Sequence, residues 1–197
     1  MPRGTTLTPR RQAGDARERI LATAYHLFCR HGIRAVGIDL ILAESGVAKM
    51  SIYRHFRSKD ALVLAVLERR ESSWSQDWLQ AEVNRRATTG AERLLAIFDV
   101  FDEWFRRRDF EGCFFVKVLL EFDDRKHPLH KASREHLANV RSYVRSLAAD
   151  AGIGDPAALA RQWQILMEGA IIAAVEGDRA AAKQARVIAE LVLQHAR

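Results

Sequence analysis

A run of hydrogen-bond donors occupies residues 49–59 of this 197-residue chain. The donors are Lys49, Ser51, Tyr53, Arg54, His55 and Lys59, and Met50 lies among them. Lysine and arginine can donate to O6 and N7 of guanine in the major groove of DNA, and serine can reach a base or a phosphate. Tyrosine, histidine and the second lysine offer donors to phosphates, which fix the register of a protein on DNA without reading its sequence. These residue types indicate a DNA-binding surface; the alternative is the solvated face of an ordinary helix.

The flanking apolar pattern predicts the helices that would present these donors. Short helices are expected over 38–44 and 49–55, separated by a break at Ser45-Gly46-Val47. The turn between them needs a left-handed backbone, which glycine adopts without steric penalty. Two short helices joined in this way and packed on a longer first helix form a helix-turn-helix. Their shared core is predicted from Ile38, Ile41, Leu42, Ile52, Phe56 and Leu62.

The segment 32–62 resembles the DNA-binding pattern of the TetR family of bacterial transcriptional repressors. It reads GIRAVGIDLILAESGVAKMSIYRHFRSKDAL. The matching residues are Ile41, Ser45, Gly46, Val47, Ile52, Tyr53, His55, Phe56, Lys59, Asp60 and Leu62. The resemblance is tight over residues 15–65 and rests on architecture elsewhere. It implies a DNA-binding regulator whose C-terminal domain binds an effector.

Four positions depart from the family pattern. Val36 stands where a phosphate-binding threonine is usual, so the backbone N–H of Gly37 is the candidate replacement. Ala48 replaces the serine that caps the recognition helix, which costs about 1 kcal/mol. Leu42 replaces a small alanine and must repack, and Met50 replaces a frequent glycine and could contact a thymine methyl group.

The rest of the chain is also predicted to be helical. A first helix from Asp15 to the stop at Gly32 precedes the two short helices. Further helices are expected over 58–86, 91–107, 113–122, 129–151, 156–175 and 179–195, so the fold class is all-α with nine helices. We expect a flexible basic arm over 1–14, a helix-turn-helix domain over 15–60 and a helical effector-binding and dimerisation domain over 61–197. Arg10, Arg11 and Arg17 are candidates for additional phosphate or minor-groove contacts.

Most aromatic residues lie in the C-terminal segment, where they could line an apolar ligand pocket or form plain core. The candidate lining residues are Trp74, Trp78, Phe98, Phe101, Trp104, Phe105, Phe115, Trp163 and Met167. Asp102, Glu121 and Glu168 are the polar candidates for orienting a ligand, because each lies in an otherwise apolar segment. The resemblance favours a pocket. It also implies that the stretch EGCFFVKVLLEF, residues 111–122, begins a sixth helix that often transmits the ligand signal, with Cys113 mainly structural.

The last two helices carry more apolar surface than one inward face needs. The surplus over 157–175 comes from Trp163, Ile165, Leu166, Met167, Ala170, Ile171 and Ala174. Excess apolar surface marks an interface, so a homodimer through these helices is predicted. A two-fold dimer places its recognition helices about 34–36 Å apart, or a longer multiple, over a palindromic operator.

Several other classes of function lack support in the sequence. The chain contains no GxGxxG, GxxxxGK[ST], HExxH or GxSxG motif, and its two cysteines are too few for a disulfide framework. No cofactor or metal is expected, since His127 and His130 form only a weak pair interrupted by proline. A cytoplasmic protein with no membrane partner is expected. The prediction is a ligand-responsive repressor; the alternatives are a helical enzyme or ligand-binding protein with an incidental basic head, and a DNA-binding protein without an effector.

The formal charge of +6 is unevenly distributed. Residues 1–59 carry 11 lysine and arginine residues against 4 acidic ones, whereas residues 60–197 carry 20 against 21. The basic balance therefore belongs to the predicted DNA-binding segment. This distribution favours DNA over a membrane surface as the anionic partner and predicts binding that weakens steeply with salt.

Overall fold

A computed structural model describes residues 9–196, with the side chains of 16–74 and 78–196. Over that range the chain is α-helical and contains no β-strand. The helices are α1 (Pro9–His31), α2 (Ile38–Ser45), α3 (Lys49–His55), α4 (Lys59–Arg70 continued by Glu71–Gln80 and Ala81–Arg86), α5 (Gly90–Phe105), α6 (Phe114–Glu121), α7 (Pro128–Asp150), α8 (Pro156–Glu176) and α9 (Ala181–His195). The all-α class and the nine helices predicted from the sequence are confirmed for the described range.

The chain divides into two compact units. The head unit comprises the described residues up to Arg69 together with Val116–Ala132. The body unit comprises Arg70–Phe115 and the described residues from Ser133 onward. This division differs from the expected boundary after residue 60, because the end of α6 and the start of α7 belong to the head unit. The boundaries lie within α4, α6 and α7.

The core of the head unit follows the apolar stripe of α1. Ile20, Leu21, Ala24 and Phe28 of α1 are fully buried. Four of the six predicted core residues, Ile41, Ile52, Phe56 and Leu62, are also buried. The other two, Ile38 and Leu42, are only half-buried.

Helix α1 begins earlier than predicted. It starts at Pro9, whereas Asp15 was expected to cap it. Proline is well suited to the first turn of a helix because its fixed φ is helical and its missing N–H has no partner there. The predicted arm is therefore helical from residue 9, and its residues 1–8 lie outside the described range, as do the side chains of Arg10 and Arg11.

The core of the body unit joins α5, α8 and α9. Helix α5 begins with a capping box, in which Thr89 Oγ1 accepts from Glu92 N and the Glu92 carboxylate accepts from Thr89 N. Gly90, its first residue, packs so tightly that a Cβ atom there would lie 2.5 Å from Leu147 O. The predicted start of α8 is confirmed, since Asp155 caps it ahead of Pro156.

A ten-residue π-helical segment, Glu71–Gln80, interrupts α4. It carries two of the predicted pocket residues, Trp74 and Trp78, which pack half-buried against the body core. The wider turn of a π-helix is rare and occurs frequently at functional sites. The sequence periodicity predicted one continuous helix here and did not reveal the widened turns.

Candidate nucleic-acid interface

The turn between α2 and α3 has the geometry that the sequence predicted. Gly46 has φ 62° and ψ 25°, and its N–H donates to Leu42 O at 3.2 Å. Val47 turns back into the interior and is buried. The glycine therefore ends α2 in a left-handed conformation, and the valine anchors the beginning of α3 to the core.

Helix α3 presents most of its surface to solvent. Ile52 is its only buried residue in the described structure. Lys49, Met50, Tyr53 and Arg54 are exposed, with 73% of Met50 and 52% of Tyr53 accessible. Because these positions are spaced by three and four residues, they share one face of the helix. The structure thus brings four of the predicted DNA-binding residues onto one continuous surface, with Ser51 half-buried beside them.

Local electrostatics leave this face basic. Lys49 Nζ of α3 lies 3.9 Å from Asp39 Oδ1, and both side chains are well exposed. Such a long, solvated pair contributes little to stability and is easily exchanged for another anion. Ala48 precedes the helix without a side-chain capping bond, as expected from its lack of a hydroxyl group.

Two predicted phosphate donors are more enclosed than the others. His55 is half-buried, and its Nε2 is buried with no hydrogen-bond partner among the described residues. Lys59 is half-buried, and its Nζ donates to Arg34 O at 3.3 Å. Lys59 therefore holds the loop between α1 and α2 in this structure. Gly37, the predicted backbone donor, is exposed at the N-cap of α2.

Val36 is fully buried, which accounts for one departure from the family pattern. A valine in this position adds to the head core, whereas the threonine usual in the family would offer a hydroxyl group. Arg17, another predicted phosphate contact, lies with its guanidinium 5.7 Å from the ring centroid of Phe56. That geometry is a cation–π contact, so part of the arginine is already engaged with the protein.

The aromatic residues predicted to line a pocket are packed as core. Phe98, Phe101, Trp104, Phe105 and Trp163 are buried, and Trp163 Nε1 donates to Leu94 O at 3.2 Å. Met167 and Phe115 are buried as well. The cavity bordered by Trp74, Trp104 and Phe115 measures about 10 Å³, which is room for about one water molecule. In this conformation the aromatic cluster forms part of the hydrophobic core, which was the alternative to a ligand pocket.

The three polar candidates for a ligand site all bind groups of the protein. The Asp102 carboxylate accepts two bonds from the Arg106 guanidinium, at 3.1 and 3.0 Å. Glu168 Oε1 accepts from Gln164 Nε2 at 2.7 Å. Glu121 belongs to the head unit and accepts two backbone N–H groups of the loop after α1. In this conformation all three carboxylates are therefore engaged with groups of the protein.

A buried polar cluster in the body unit was missed from the sequence. His136 on α7 is 2% exposed, stacks on Phe115 with ring centroids 3.3 Å apart, and places Nδ1 3.6 Å from Glu71 Oε1. Burial lowers the pKa of His136 to about 4, against the opposing attraction of Glu71. Ser133, one turn earlier, is fully buried, and its Oγ has no hydrogen-bond partner in the described range. Both lie on the apolar stripe of α7, and this spacing was the signal that could have revealed them.

Neither a metal site nor a membrane span is found in the described range. No group of three or more histidine, cysteine, aspartate or glutamate side chains there could hold a metal ion. Instead, His127 Nε2 lies 3.6 Å from Asp60 Oδ2, and His130 Nδ1 lies 2.7 Å from Phe122 O. Among the helices of residues 9–196, none combines the length and apolar character needed to cross a bilayer.

The exposed apolar residues of the last two helices differ in part from those predicted. Trp163, Met167, Ala170 and Ile171 are buried in the body core, because the inward face of α8 is wider than expected. The surplus apolar surface comes from residues on the outer faces of the helices, of which Ile165 was predicted. They are Ile165, Ile172 and Val175 of α8 and Val187, Ile188 and Leu191 of α9.

Two family models together match most of the chain. Residues 20–66 match "Bacterial regulatory proteins, tetR family", and residues 90–189 match "Tetracyclin repressor-like, C-terminal domain". The first match contains α2 and α3, and the second covers the body helices from α5 into α9.

Curated proteins and solved structures give the same result. The HTH-type transcriptional regulator YjdC of Escherichia coli is 23% identical over 182 residues, which is 92% of this chain and 95% of YjdC. The HTH-type transcriptional repressor NemR of Escherichia coli is 32% identical over 60% of this chain and 59% of its own length. The crystal structure of SCO4454, a TetR-family transcriptional regulator from Streptomyces coelicolor, is 31% identical and superposes with a TM-score of 0.84 over 93% of this chain and 96% of that one.

Proposed function

Because this chain belongs to the TetR family of bacterial transcriptional regulators, we propose that it acts as a homodimeric repressor that binds a palindromic operator and leaves it when a small molecule binds the body unit. The observation that carries the proposal is the single exposed face of α3, on which Lys49, Met50, Tyr53 and Arg54 lie together. The sign of regulation follows the relative named a repressor, NemR. A shorter match, 35% identical over 109 residues, is to FasR of Mycolicibacterium smegmatis, which is named an activator.

On this proposal, α3 enters the major groove with its residues in two roles. Lys49 and Arg54 read guanine edges, Ser51 reaches a base or a phosphate, and Met50 packs on a thymine methyl group. Tyr53 and the Gly37 N–H bind phosphates, which set the register. His55 and Lys59 are half-buried, so only the solvent-accessible parts of their side chains can contact phosphates.

The dimer would form through the outer faces of α8 and α9. Ile165 is 70% exposed, and Ile172 follows it after two turns on the same face. Val187, Ile188 and Leu191 form a matching stripe on α9. Leaving this much apolar surface in water is unfavourable, and a two-fold interface would bury each stripe against its copy.

The effector would bind among Trp74, Trp104 and Phe115, at the edge of the π-helical segment. A cavity of about 10 Å³ admits no drug-sized molecule, so these side chains must separate for a ligand to enter. Ser133 Oγ, which has no hydrogen-bond partner in the described range, and His136, whose Nδ1 lies 3.6 Å from Glu71 Oε1, would then supply polar contacts to a mainly apolar molecule. A ligand that binds only this opened state shifts the population of DNA-binding conformations by its preference for that state.

A reporter experiment tests the regulatory part of the proposal. A promoter that carries an operator found by binding-site selection should lose transcription when the protein is expressed. A library of small apolar molecules should contain members that restore transcription. The same molecules should lower operator affinity in a purified binding assay. Higher transcription when the protein is expressed would make it an activator. If molecules that bind the body unit do not release the protein from its operator, ligand control is contradicted.

A further inference from the structure

Two helices of the body unit, α7 and α8, enclose a cleft that is lined by three arginine residues. The cleft measures about 290 Å³, which is near the lower end of the range for small-molecule sites. Arg141 and Arg145 line it from α7, and Arg161 lines it from α8. All three lie after residue 133, so the whole cleft belongs to one compact unit. Three positive side chains therefore converge on one small space.

Small side chains create the space between the arginine residues. Ala138 of α7 and Ala157 and Ala160 of α8 also line the cleft. Ala160 is buried, whereas Arg145 and Arg161 are exposed. On each helix the lining positions are three or four residues apart, so they share one face. The alanine residues thus form the floor of the cleft, and the guanidinium groups stand at its rim.

The positive charge of the cleft is not balanced by acidic groups in the part of the chain that the structure describes. Among these residues, neither the Arg145 nor the Arg161 side chain forms an ion pair or a hydrogen bond. Arg141 Nη1 donates to Gln164 Oε1 at 2.6 Å, and this neutral partner orients the guanidinium without cancelling its charge. A cleft lined by charges of one sign focuses their field and concentrates counterions. The arrangement therefore favours an anionic ligand.

Phosphate is the anion that suits this arrangement best. The planar guanidinium group donates two parallel hydrogen bonds to a phosphate or a carboxylate. A phosphate group has enough oxygen atoms to accept from three arginine residues at once, whereas a carboxylate has only two. Ser142 of α7, which also lines the cleft, adds a hydroxyl donor. The number of donors therefore points to phosphate over carboxylate.

A second cavity adjoins the arginine cleft and offers room for the rest of a ligand. It measures about 370 Å³ and shares three lining residues with the cleft. Ser146, Ala149, Asp155 and Pro156 line its remaining walls. The Asp155 carboxylate would repel a second anionic group, but it can accept hydrogen bonds from hydroxyl groups. The second cavity thus suits a short, uncharged, hydroxylated chain or ring.

We propose that the cleft between α7 and α8 binds a small hydroxylated organic phosphate, such as a sugar phosphate. Its phosphate group lies among Arg141, Arg145 and Arg161, and its hydroxylated part occupies the adjoining cavity. The site shares no residue with the proposed effector site and requires no operator binding. It therefore adds a second ligand to the proposed function.

Isothermal titration calorimetry of the full-length protein at fixed ionic strength tests the site, with ribose 5-phosphate as the probe. The wild type should bind it saturably and more tightly than inorganic phosphate, because the hydroxyl groups add contacts. Arg145→Gln and Arg161→Gln should each weaken binding about tenfold, since each removes charge-assisted hydrogen bonds. Arg145→Lys should weaken binding less than Arg145→Gln, because lysine keeps the charge but loses the paired donors.

Arg179→Gln serves as the matched control. It removes the same charge from an exposed position that lines neither cavity, so ribose 5-phosphate should bind as it does to the wild type. Equal weakening in all three glutamine variants would reveal a general effect of net charge and would overturn the site. Absence of saturable binding to the wild type would overturn it as well. Inorganic phosphate that binds as tightly as ribose 5-phosphate would overturn the assignment of an organic phosphate.

Sedimentation velocity separates a ligand site from a subunit contact. Arg161 lies one helical turn before Ile165, which belongs to the exposed apolar stripe of α8. The proposal predicts that Arg145→Gln and Arg161→Gln keep the mass of the wild type while they weaken phosphate binding. A changed mass with unchanged phosphate binding would assign these arginine residues to a contact between subunits and overturn the proposal.

Discussion

At the scale of single residues, the proposed DNA recognition divides between side chains that read bases and side chains that bind phosphates. Arg54→Ala should cost about 1–3 kcal/mol on the preferred operator and relax specificity at the base pairs it reads. Tyr53→Phe should weaken binding to all sequences by a similar factor, because only a phosphate contact is lost. Binding-site selection with each variant separates the two. An Arg54→Ala protein that returns the wild-type motif at full stringency would contradict the assignment.

His136 should make stability sensitive to acid. Its pKa in the folded protein is lowered by burial from 6.5 to about 4, so the folded state binds fewer protons than the unfolded state between these values. Stability is then complete above about pH 6.5 and falls as the pH drops toward 4, by up to about 1.4 kcal/mol per pH unit. Glu71, which favours the charged form, and Arg70, which opposes it, are the neighbouring charges.

Urea unfolding at a series of pH values measures this sensitivity. His136→Phe keeps a ring to stack on Phe115 and removes the titrating group, so its stability should fall less between pH 6.5 and pH 4. His195→Gln, at an exposed position on α9, should behave like the wild type. An unchanged pH profile in His136→Phe would show that other groups cause the acid loss.

Residue roles were predictable where the signal is local. The exposed positions of α3 follow from the apolar spacing around Ile52, so the exposed face of this helix could be predicted from the sequence. The role of Glu121 could not, because its partners Ile33 and Arg34 lie 88 and 87 residues away and present backbone groups. Every residue except proline has a backbone N–H, so residue type does not reveal such a donor. From the sequence, Glu121 was therefore predicted to orient a ligand.

At the scale of helices, the close contact between α5 and the end of α7 depends on a missing side chain. Gly90→Ala would place a Cβ atom 2.5 Å from Leu147 O and 2.6 Å from Ala151 N. Backbone atoms cannot yield as a flexible side chain can, so we expect a loss of about 2–3 kcal/mol. Gly154→Ala is the control, since a Cβ atom there meets nothing within 4 Å. Equal unfolding free energies for the two variants would disprove the close packing.

Helix boundaries were predictable where a capping residue marks them in the sequence. Asp155 with Pro156 and the left-handed Gly46 are chemical signals that act within a few residues, and both are confirmed. The early start of α1 and the π-helical segment of α4 were not anticipated. Proline can begin a helix or lie before one, and no particular residue type marks a π-helical turn, so residue type alone does not separate these cases.

At the scale of the whole molecule, the last two helices should determine the oligomeric state. Replacing Ile165 and Ile172 together by glutamate places charges on the proposed two-fold interface and should raise the dimer dissociation constant at least a hundredfold, because charge repulsion and lost apolar burial add. Sedimentation velocity at micromolar concentration measures the change. Leu120→Glu, an equally exposed apolar position on α6, should leave the mass unchanged. A monomeric wild-type protein would contradict the dimer.

Charge is distributed in the way that a DNA-binding head requires. The excess of basic over acidic residues lies in positions 1–59, and the remainder of the chain is nearly balanced. Neutralised phosphates release counterions, so the logarithm of the binding constant should fall linearly with the logarithm of the salt concentration. Two heads acting together should give a slope about twice that of a single head.

Selection of binding sites from random double-stranded DNA by the wild-type protein tests the central claim most directly. The account predicts a palindromic motif with equivalent half-sites, bound by one dimer, whose enrichment weakens steeply as salt is raised. A library that yields no enriched sequence, or a motif without two-fold symmetry that a monomer binds, would contradict it.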